Sequence, residues 1–195
     1  MHRPRILNLV SSWLVAPQSA PFDAATPLVG RGLDEVAGRA FEASEPGTLS
    51  FGYLTAIVRS YENDDTAASA TRALLADAGD PHGTAGVAVV NRRLRPLSGD
   101  RGGVVTWGTV RGFDSSRSAW ATAVIRRDHL VWDVTVTGIG IAQLERTVID
   151  LAGQLARRPA SDWGLWDLLP DVDDLPGPMR VDALFTSPDL AAVAA

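Results

Sequence analysis

Between Leu130 and Thr137 apolar and polar residues alternate with a period of two. Leu130, Trp132, Val134 and Val136 fall on one side of a strand and Val131, Asp133, Thr135 and Thr137 on the other, which predicts one dry face and one half-wetted face. This strand folds back on a preceding one over 118–126 through Arg127-Asp128-His129, where aspartate and histidine accept positive φ more readily than most residues. Runs rich in aromatic and β-branched residues predict three more strands, Leu49–Tyr61, Ala85–Leu94 and Val104–Phe113. Only short loops join the strands from residue 85 to 137, too short for a crossover helix, so that stretch is expected to be an antiparallel meander.

Two segments switch to helical spacing. Ala67, Thr71, Leu74, Leu75 and Ala78 make one face of a helix over 64–78, with Asn63 or Asp64 as N-terminal cap and Gly79 as the left-handed stop. Ile141, Leu144, Val148, Leu151, Ala152 and Leu155 make the apolar stripe of a second helix over 141–158, which Pro159 terminates. Leu33–Ser44 reads as a short helix. The fold class expected is α+β, an antiparallel sheet of about five strands with both amphipathic helices on one face. Three stretches follow from this: an N-terminal extension with a short helix (1–45), the α+β domain (46–159), and an acidic C-terminal extension with tryptophans and prolines (160–195). A capped short helix is expected at Ser187-Pro188-Asp189-Leu190.

Charge adds one asymmetry to this picture. The net charge is −5, but Arg92, Arg93, Arg95, Arg101, Arg111, Arg117, Arg126 and Arg127 face only Asp100 and Asp114 in the middle of the chain, whereas the tail after Ala160 is strongly acidic. Trp163, Trp166, Leu168 and Leu169 are therefore expected to pack on the domain, while some of Asp171, Asp173 and Asp174 approach the arginines between Arg92 and Arg127. The chain has no lysine, which excludes Schiff-base lysines and the P-loop lysine. It has no cysteine, which excludes disulfides, thiolate metal sites and cysteine nucleophiles without fixing a compartment. No apolar run reaches transmembrane length. Arg3 and Arg5 precede an apolar stretch over 6–16 in the order of a signal peptide. Asn8, Ser11 and Ser12 interrupt that stretch, as they would in an amphipathic helix or first strand.

Candidate chemistry is sparse. His2, His82 and His129 have no zinc-ligand or triad spacing, and Asp171-Val172-Asp173-Asp174 lacks the glycine and glutamate of an EF-hand. Ser98 lacks the glycine two residues earlier that a nucleophile elbow needs. Gly138-Ile139-Gly140 stands between a strand and a helix, as a phosphate-binding turn would. It lacks the third glycine, and no strand pattern follows the helix at once. The binding feature favoured is the arginine set Arg92, Arg93, Arg95, Arg111, Arg126 and Arg127, suited to an anionic small molecule or a protein partner. Trp107 and Trp120 could stack bases, but a pI near 5.1 opposes nucleic acid.

The strand with Tyr53 and Tyr61 running into Asp64-Asp65-Thr66-Ala67-Ala68, the loop Ser98-Gly99-Asp100, the hairpin Ile125-Arg126-Arg127-Asp128-His129-Leu130-Val131 and the final helix together resemble a group of proteins. These are exported bacterial proteins and lipoproteins with a PsbP-like or sensor-kinase-extracellular-domain-like fold. The resemblance covers residues 49–158, and Asp128-His129 stands where members of that group carry Gly-Asn. It implies an antiparallel sheet with two helices, an extracytoplasmic location, and binding of a ligand or partner. It carries over no catalytic residue and no cofactor. The expected function is a non-enzymatic binding or interaction domain. The alternatives are a small-molecule enzyme whose site does not show in the sequence, and nucleotide binding at Gly138–Gly140.

Overall fold

The computed structural model describes residues 31–44, 51–78, 87–98, 101–111, 117–138, 140–159, 164–175 and 177–186. Strands β1 (Leu33–Ala43), β2 (Phe51–Tyr61), β3 (Val87–Pro96), β4 (Gly102–Arg111), β5 (Arg117–Arg127), β6 (Leu130–Gly138) and β7 (Met179–Thr186) form one sheet in the order β3-β4-β5-β6-β2-β1-β7. Every neighbouring pair is antiparallel. Helix α1 (Asp64–Asp77) follows β2, α2 (Ile141–Leu155) follows β6, and two 3-10 turns, Leu165–Leu168 and Val172–Asp174, precede β7. The class is α+β with a single antiparallel sheet, and the hairpin turns at Asp128 with φ 54° as its residue type predicts.

The sheet has seven strands rather than five, because the segments read as extensions supply β1 and β7. Leu33–Ala43 is a strand, not the expected helix. Leu33, Val36, Ala37, Ala40 and Phe41 do have helical spacing, but β1 lies between β2 and β7 and is covered on both faces, so Val36 and Ala40 are buried on one side and Ala37 and Phe41 on the other. A strand buried on both sides loses the alternation that would reveal it. The proposed helix at 187–190 lies outside the described residues, as do Gly79, Phe113 and Trp163.

The helices lie on opposite faces of the sheet, which corrects the expectation that they share one. α1 packs Ala67, Ala70 and Leu74 against Tyr61, Val124 and Val131. α2 packs Leu144, Val148, Leu151, Ala152 and Leu155 against Ala123, Ile125, Trp132 and Val134. Val124 and Ile125 are neighbours in β5, and Val131 and Trp132 in β6, so the two sets point to opposite sides. The side of β6 expected to be half-wetted is buried too, and that second closed face needs its own helix.

Local chemistry sets the ends of both helices. The Asn63 side chain accepts the Thr66 N–H at 2.9 Å, and Asp64 and Asp65 occupy the positive end of α1. Gly140 caps α2 at φ 90° with nothing within 4 Å of where a Cβ would lie, so its glycine serves the backbone turn and not a close approach. Gly102 differs: at φ 130° a Cβ would sit 1.9 Å from the Val124 carbonyl oxygen, and only glycine lets β4 start there.

The segment 164–175 straps the α2 side of the sheet. Leu165, Leu168, Leu169 and Leu175 join the main core with Trp166 packed against it. The Trp132 indole N–H donates to the Leu168 carbonyl at 3.2 Å. Packing of the tail thus occurs as expected, but the arginines that meet its acids are not those between Arg92 and Arg127. Arg158 donates to the Asp174 carboxylate at 2.6 Å and to the Asp167 carbonyl at 3.1 Å. Arg39 donates to the Pro170 carbonyl at 2.8 Å, pairs with Asp171, and lies 5.7 Å from the centre of the Trp166 ring. Partial burial acts against the Asp174 charge, yet the Asp171 N–H and Arg158 outweigh it and hold this carboxyl below its usual range. The arginines nearest in space decide the pairing, and β1 and the end of α2 are nearer than the meander.

Burial predicts the energetic order of substitutions. Leu151→Ala in α2 should lower stability by about 2–5 kcal/mol, while Leu184→Ala, 38% exposed on β7, should change it by less than about 0.5 kcal/mol. Urea denaturation midpoints of the two variants, compared at equal slope, check this.

Candidate functional site

Strand alternation gathers an unusual set of side chains on the α1 face of the sheet. From β2 come Thr55, Ile57, Arg59 and Tyr61, from β6 Val131, Asp133, Thr135 and Thr137, from β5 Trp120, Thr122 and Val124, and from β4 Val105 and Trp107. The register lines them up in rows. Thr55 is opposite Thr135, which is opposite Thr122, which is opposite Val105. One row along, Thr137 is opposite Trp120, which is opposite Trp107. All of these residues are buried.

Their polar groups divide into two kinds. Thr122 and Thr135 hydroxyls lie 2.7 Å apart and Thr135 donates onward to Asp133 at 3.5 Å, a chain in which each hydroxyl proton finds an acceptor. Asp133 also faces Arg59 at 3.6 Å, and the two side chains are 6% and 3% exposed. Burial pushes the Asp133 carboxyl above the usual carboxylate range, with Arg59 and the Thr135 hydroxyl acting the other way. Burial likewise raises Tyr61; Arg59 lowers it, and Asp133 raises it further.

The second kind has no partner. The Thr55 hydroxyl, the Tyr61 hydroxyl and the indole nitrogens of Trp107 and Trp120 are buried without a hydrogen-bond partner among the described residues. The two indole rings stack at 6.0 Å between centres and 9° between planes. Ala78 follows the last turn of α1 and packs in the same cluster as these rings. Ala40 of β1 belongs to that cluster as well. An unpaired buried donor costs about 1–3 kcal/mol, and apolar replacements of the same shape would remove that cost.

The arginines favoured from the sequence do not converge. Arg92 donates to the carbonyls of Leu75, Ala76 and Ala78 at 2.7, 3.1 and 2.9 Å and so closes the end of α1. Arg127 does the same for α2 through Ala156 and Arg158 at 2.7 and 2.6 Å, and stacks 5.3 Å over the Trp132 ring. Arg95 pairs with Glu145 of α2 at 2.7 Å. Since α1 and α2 lie on opposite faces, these three are divided between the two sides. Arg93 is exposed, and Arg126 reaches the Asp128 carbonyl at 3.5 Å. Arg111 ends β4, with its side chain outside the described residues. Gly138–Gly140 leads from β6 into α2, and the next strand, β7, joins the far edge against β1, antiparallel, without the parallel neighbour a dinucleotide site needs. Among the described residues no group of three or more acidic or histidine side chains gathers that could hold a metal ion.

The sequence marked Asp133, Thr135 and Thr137 as one face and named both tryptophans, but missed Thr55, Arg59 and Tyr61. The signal was there in β2, where Tyr53, Thr55, Arg59 and Tyr61 alternate with Leu54, Ala56 and Val58.

The sequence matches no family model and no curated protein. In structure the chain is similar to the extracellular domain of PknH from Mycobacterium tuberculosis, at a TM-score of 0.42 and 14% identity over 66% of this chain and 70% of that one. A likeness of that size carries neither family nor function to this chain.

Two outcomes follow from the site. Thr55→Val, which removes an unpaired hydroxyl at constant shape, should raise stability by about 1 kcal/mol or more, and Thr135→Val, which breaks the hydroxyl chain, should lower it by about 1–3 kcal/mol; urea midpoints check both. For Asp133, the raised folded value means that its contribution to stability is present below the ordinary carboxylate range and lost as pH rises through the folded value. Asp133→Asn mimics the protonated form, so its stability relative to wild type should rise with pH across that interval in denaturation curves taken from acid upward.

Proposed function

We propose that this chain is a non-enzymatic binding domain that holds a small molecule against the α1 face of its sheet. The observation that supports it is the presence of three buried polar groups, Thr55, Trp107 and Trp120, on adjacent rows of that face and without hydrogen-bond partners among the described residues. Binding sites combine apolar and aromatic walls with a few convergent polar groups, and this face supplies both. The reading favours binding over catalysis because Asp133, the carboxylate of the face, is engaged by Arg59 and Thr135, and the remaining groups are donors and ring surfaces. It includes an extracytoplasmic location, which the resemblance over residues 49–158 implies, with a cytoplasmic location as the alternative.

A second reading places an anionic molecule or a protein partner on Arg92, Arg93, Arg95, Arg111, Arg126 and Arg127. The exposure of Arg93 favours it. Three of the six are already bonded to helix ends or to Glu145.

A thermal-shift screen of a metabolite library separates the two. Binding on the sheet face predicts an upward melting shift that Thr55→Val and Trp120→Phe weaken and Arg93→Glu leaves unchanged. A shift lost in Arg93→Glu and kept in the other two assigns binding to the arginines instead. No shift with any compound overturns the small-molecule reading.

A further inference from the structure

Among the described residues β3 and β7 are the outer strands of the sheet, each with one edge that no other strand pairs. Such an edge is a template for another strand, the more so where it carries apolar side chains. Both edges carry them: Val90 and Leu94 on β3 and Val181 and Leu184 on β7 are exposed. Yet both strands break their ladder partway along, and in the same manner. Val90 is opposite Gly108 and Arg93 opposite Thr106, so two residues of β3, Asn91 and Arg92, stand against the single Trp107 of β4. Phe41 is opposite Val181 and Ala40 opposite Ala183, so β7 holds Asp182 as one residue too many against β1. The inner ladders β4–β5 and β5–β6 run without a shift, and those of β1 with β2 and β2 with β6 shift only at a strand end, near Leu33 and Phe51.

Local chemistry holds the β3 bulge in place. Asn91 has φ 55°, a left-handed conformation that asparagine tolerates better than most residues. Its neighbour Arg92 turns to α1 and donates to the Leu75, Ala76 and Ala78 carbonyls, which ties the bulged backbone to a helix end. Arg93 and Arg95 add exposed charge to the same strand, and Pro96, without an N–H, ends it. On β7 the extra residue is itself an exposed acid, and Arg180 beside it pairs with Glu42. An extra residue bends its strand and increases the twist, so the N–H and C=O groups of the outer edge fall out of phase there just as those of the inner edge do. A strand arriving at either edge would lose its ladder at the bulge, with Arg93 or Asp182 beside the break.

We infer that the two bulges are stops that close both edges of this sheet to strand addition by a second copy of the chain. Copies of the protein do not join edge to edge, and a protein partner of any kind meets side chains and not the backbone of β3 or β7.

The test compares the full chain with two single-residue deletions. Removing Asn91 leaves one residue of β3 between Val90 and Arg93, as β4 has one between Gly108 and Thr106, so every later side chain keeps its face; removing Asp182 does the same for β7 against β1. Self-association is read by sedimentation velocity over a concentration series and by amide hydrogen exchange in β3 and β7, with circular dichroism to show that the sheet is intact. Wild type is expected to sediment as a monomer throughout, with exchange in both outer strands independent of concentration. Each deletion should self-associate at least about tenfold more tightly than wild type, with exchange slowed by concentration in the regularised strand alone. Arg93→Val and Asp182→Val, which remove the charge and keep the extra residue, should stay monomeric.

Concentration-dependent protection of β3 or β7 in wild type would overturn the inference whether or not the deletions fold. A folded deletion variant that stays monomeric would overturn it for that edge, because the bulge would then stop nothing. Self-association of Arg93→Val or Asp182→Val would overturn it too, by showing that charge and not the extra residue closes the edge.

Discussion

No side chain of β6 from Leu130 to Thr137 is left to solvent, and most of the structure follows from having to cover that strand on both sides. Covering one side takes α2 and the strap over 164–175; covering the other takes α1. Extending the sheet on either side of β6 brings in β2, β1 and β7 on one flank and β5, β4 and β3 on the other. A strand enclosed in this way normally reads as an uninterrupted apolar run. Here one side is Leu130, Trp132, Val134 and Val136, and the other contains Asp133, Thr135 and Thr137, so closure encloses polar groups and obliges them to find partners inside the protein. The Thr122–Thr135–Asp133 chain and the Arg59–Asp133 pair are that response, and Thr55, Tyr61, Trp107 and Trp120 are where the response stops.

Arginine does in this fold what its planar fork allows and a single ammonium does not. Arg92 binds three carbonyls at the end of α1, Arg127 two beyond the end of α2, and Arg158 joins the strap to α2 through carbonyls and a carboxylate. These are carbonyl groups that a helix leaves without internal partners. Basic residues that look in the sequence like one electrostatic patch are spent on opposite faces as fasteners.

Where local signals and burial agree, the elements were legible in the sequence. The β5–β6 hairpin, its turn at Asp128, α1 with its Asn63 cap and α2 with its stripe from Leu144 to Leu155 all have periods or caps that the structure keeps. β1 was not legible because a strand covered on both faces and spaced like Leu33, Val36, Ala37, Ala40 and Phe41 imitates a helix. The face of each helix was not legible because amphipathicity states that a helix is covered on one side without saying by which side of the sheet. The site was half legible: period two exposed Asp133 and its companions, but what they meet depends on β2, which joins β6 only through tertiary pairing. The acidic tail was correctly drawn to the domain, and its arginine partners were misjudged because charge composition ignores distance.

The pairing of β2 with β6 carries a consequence for how the chain assembles. Tyr53 meets Thr137 and Ser60 meets Leu130, contacts between residues far apart in the chain, and β1 in turn is sealed by β7, whose residues come later still. Until β6 has been made, the β1–β2 hairpin has two open edges, and Leu54, Ala56, Val58 and Phe41 have no sheet or helix to cover them. Such a hairpin is a template for pairing with the wrong strand, and closing long loops before any reward is slow. Synthesis from the N-terminus delivers β6 and then α2 only after that hairpin exists, so the order of the strands in the chain leaves both of its edges open until late.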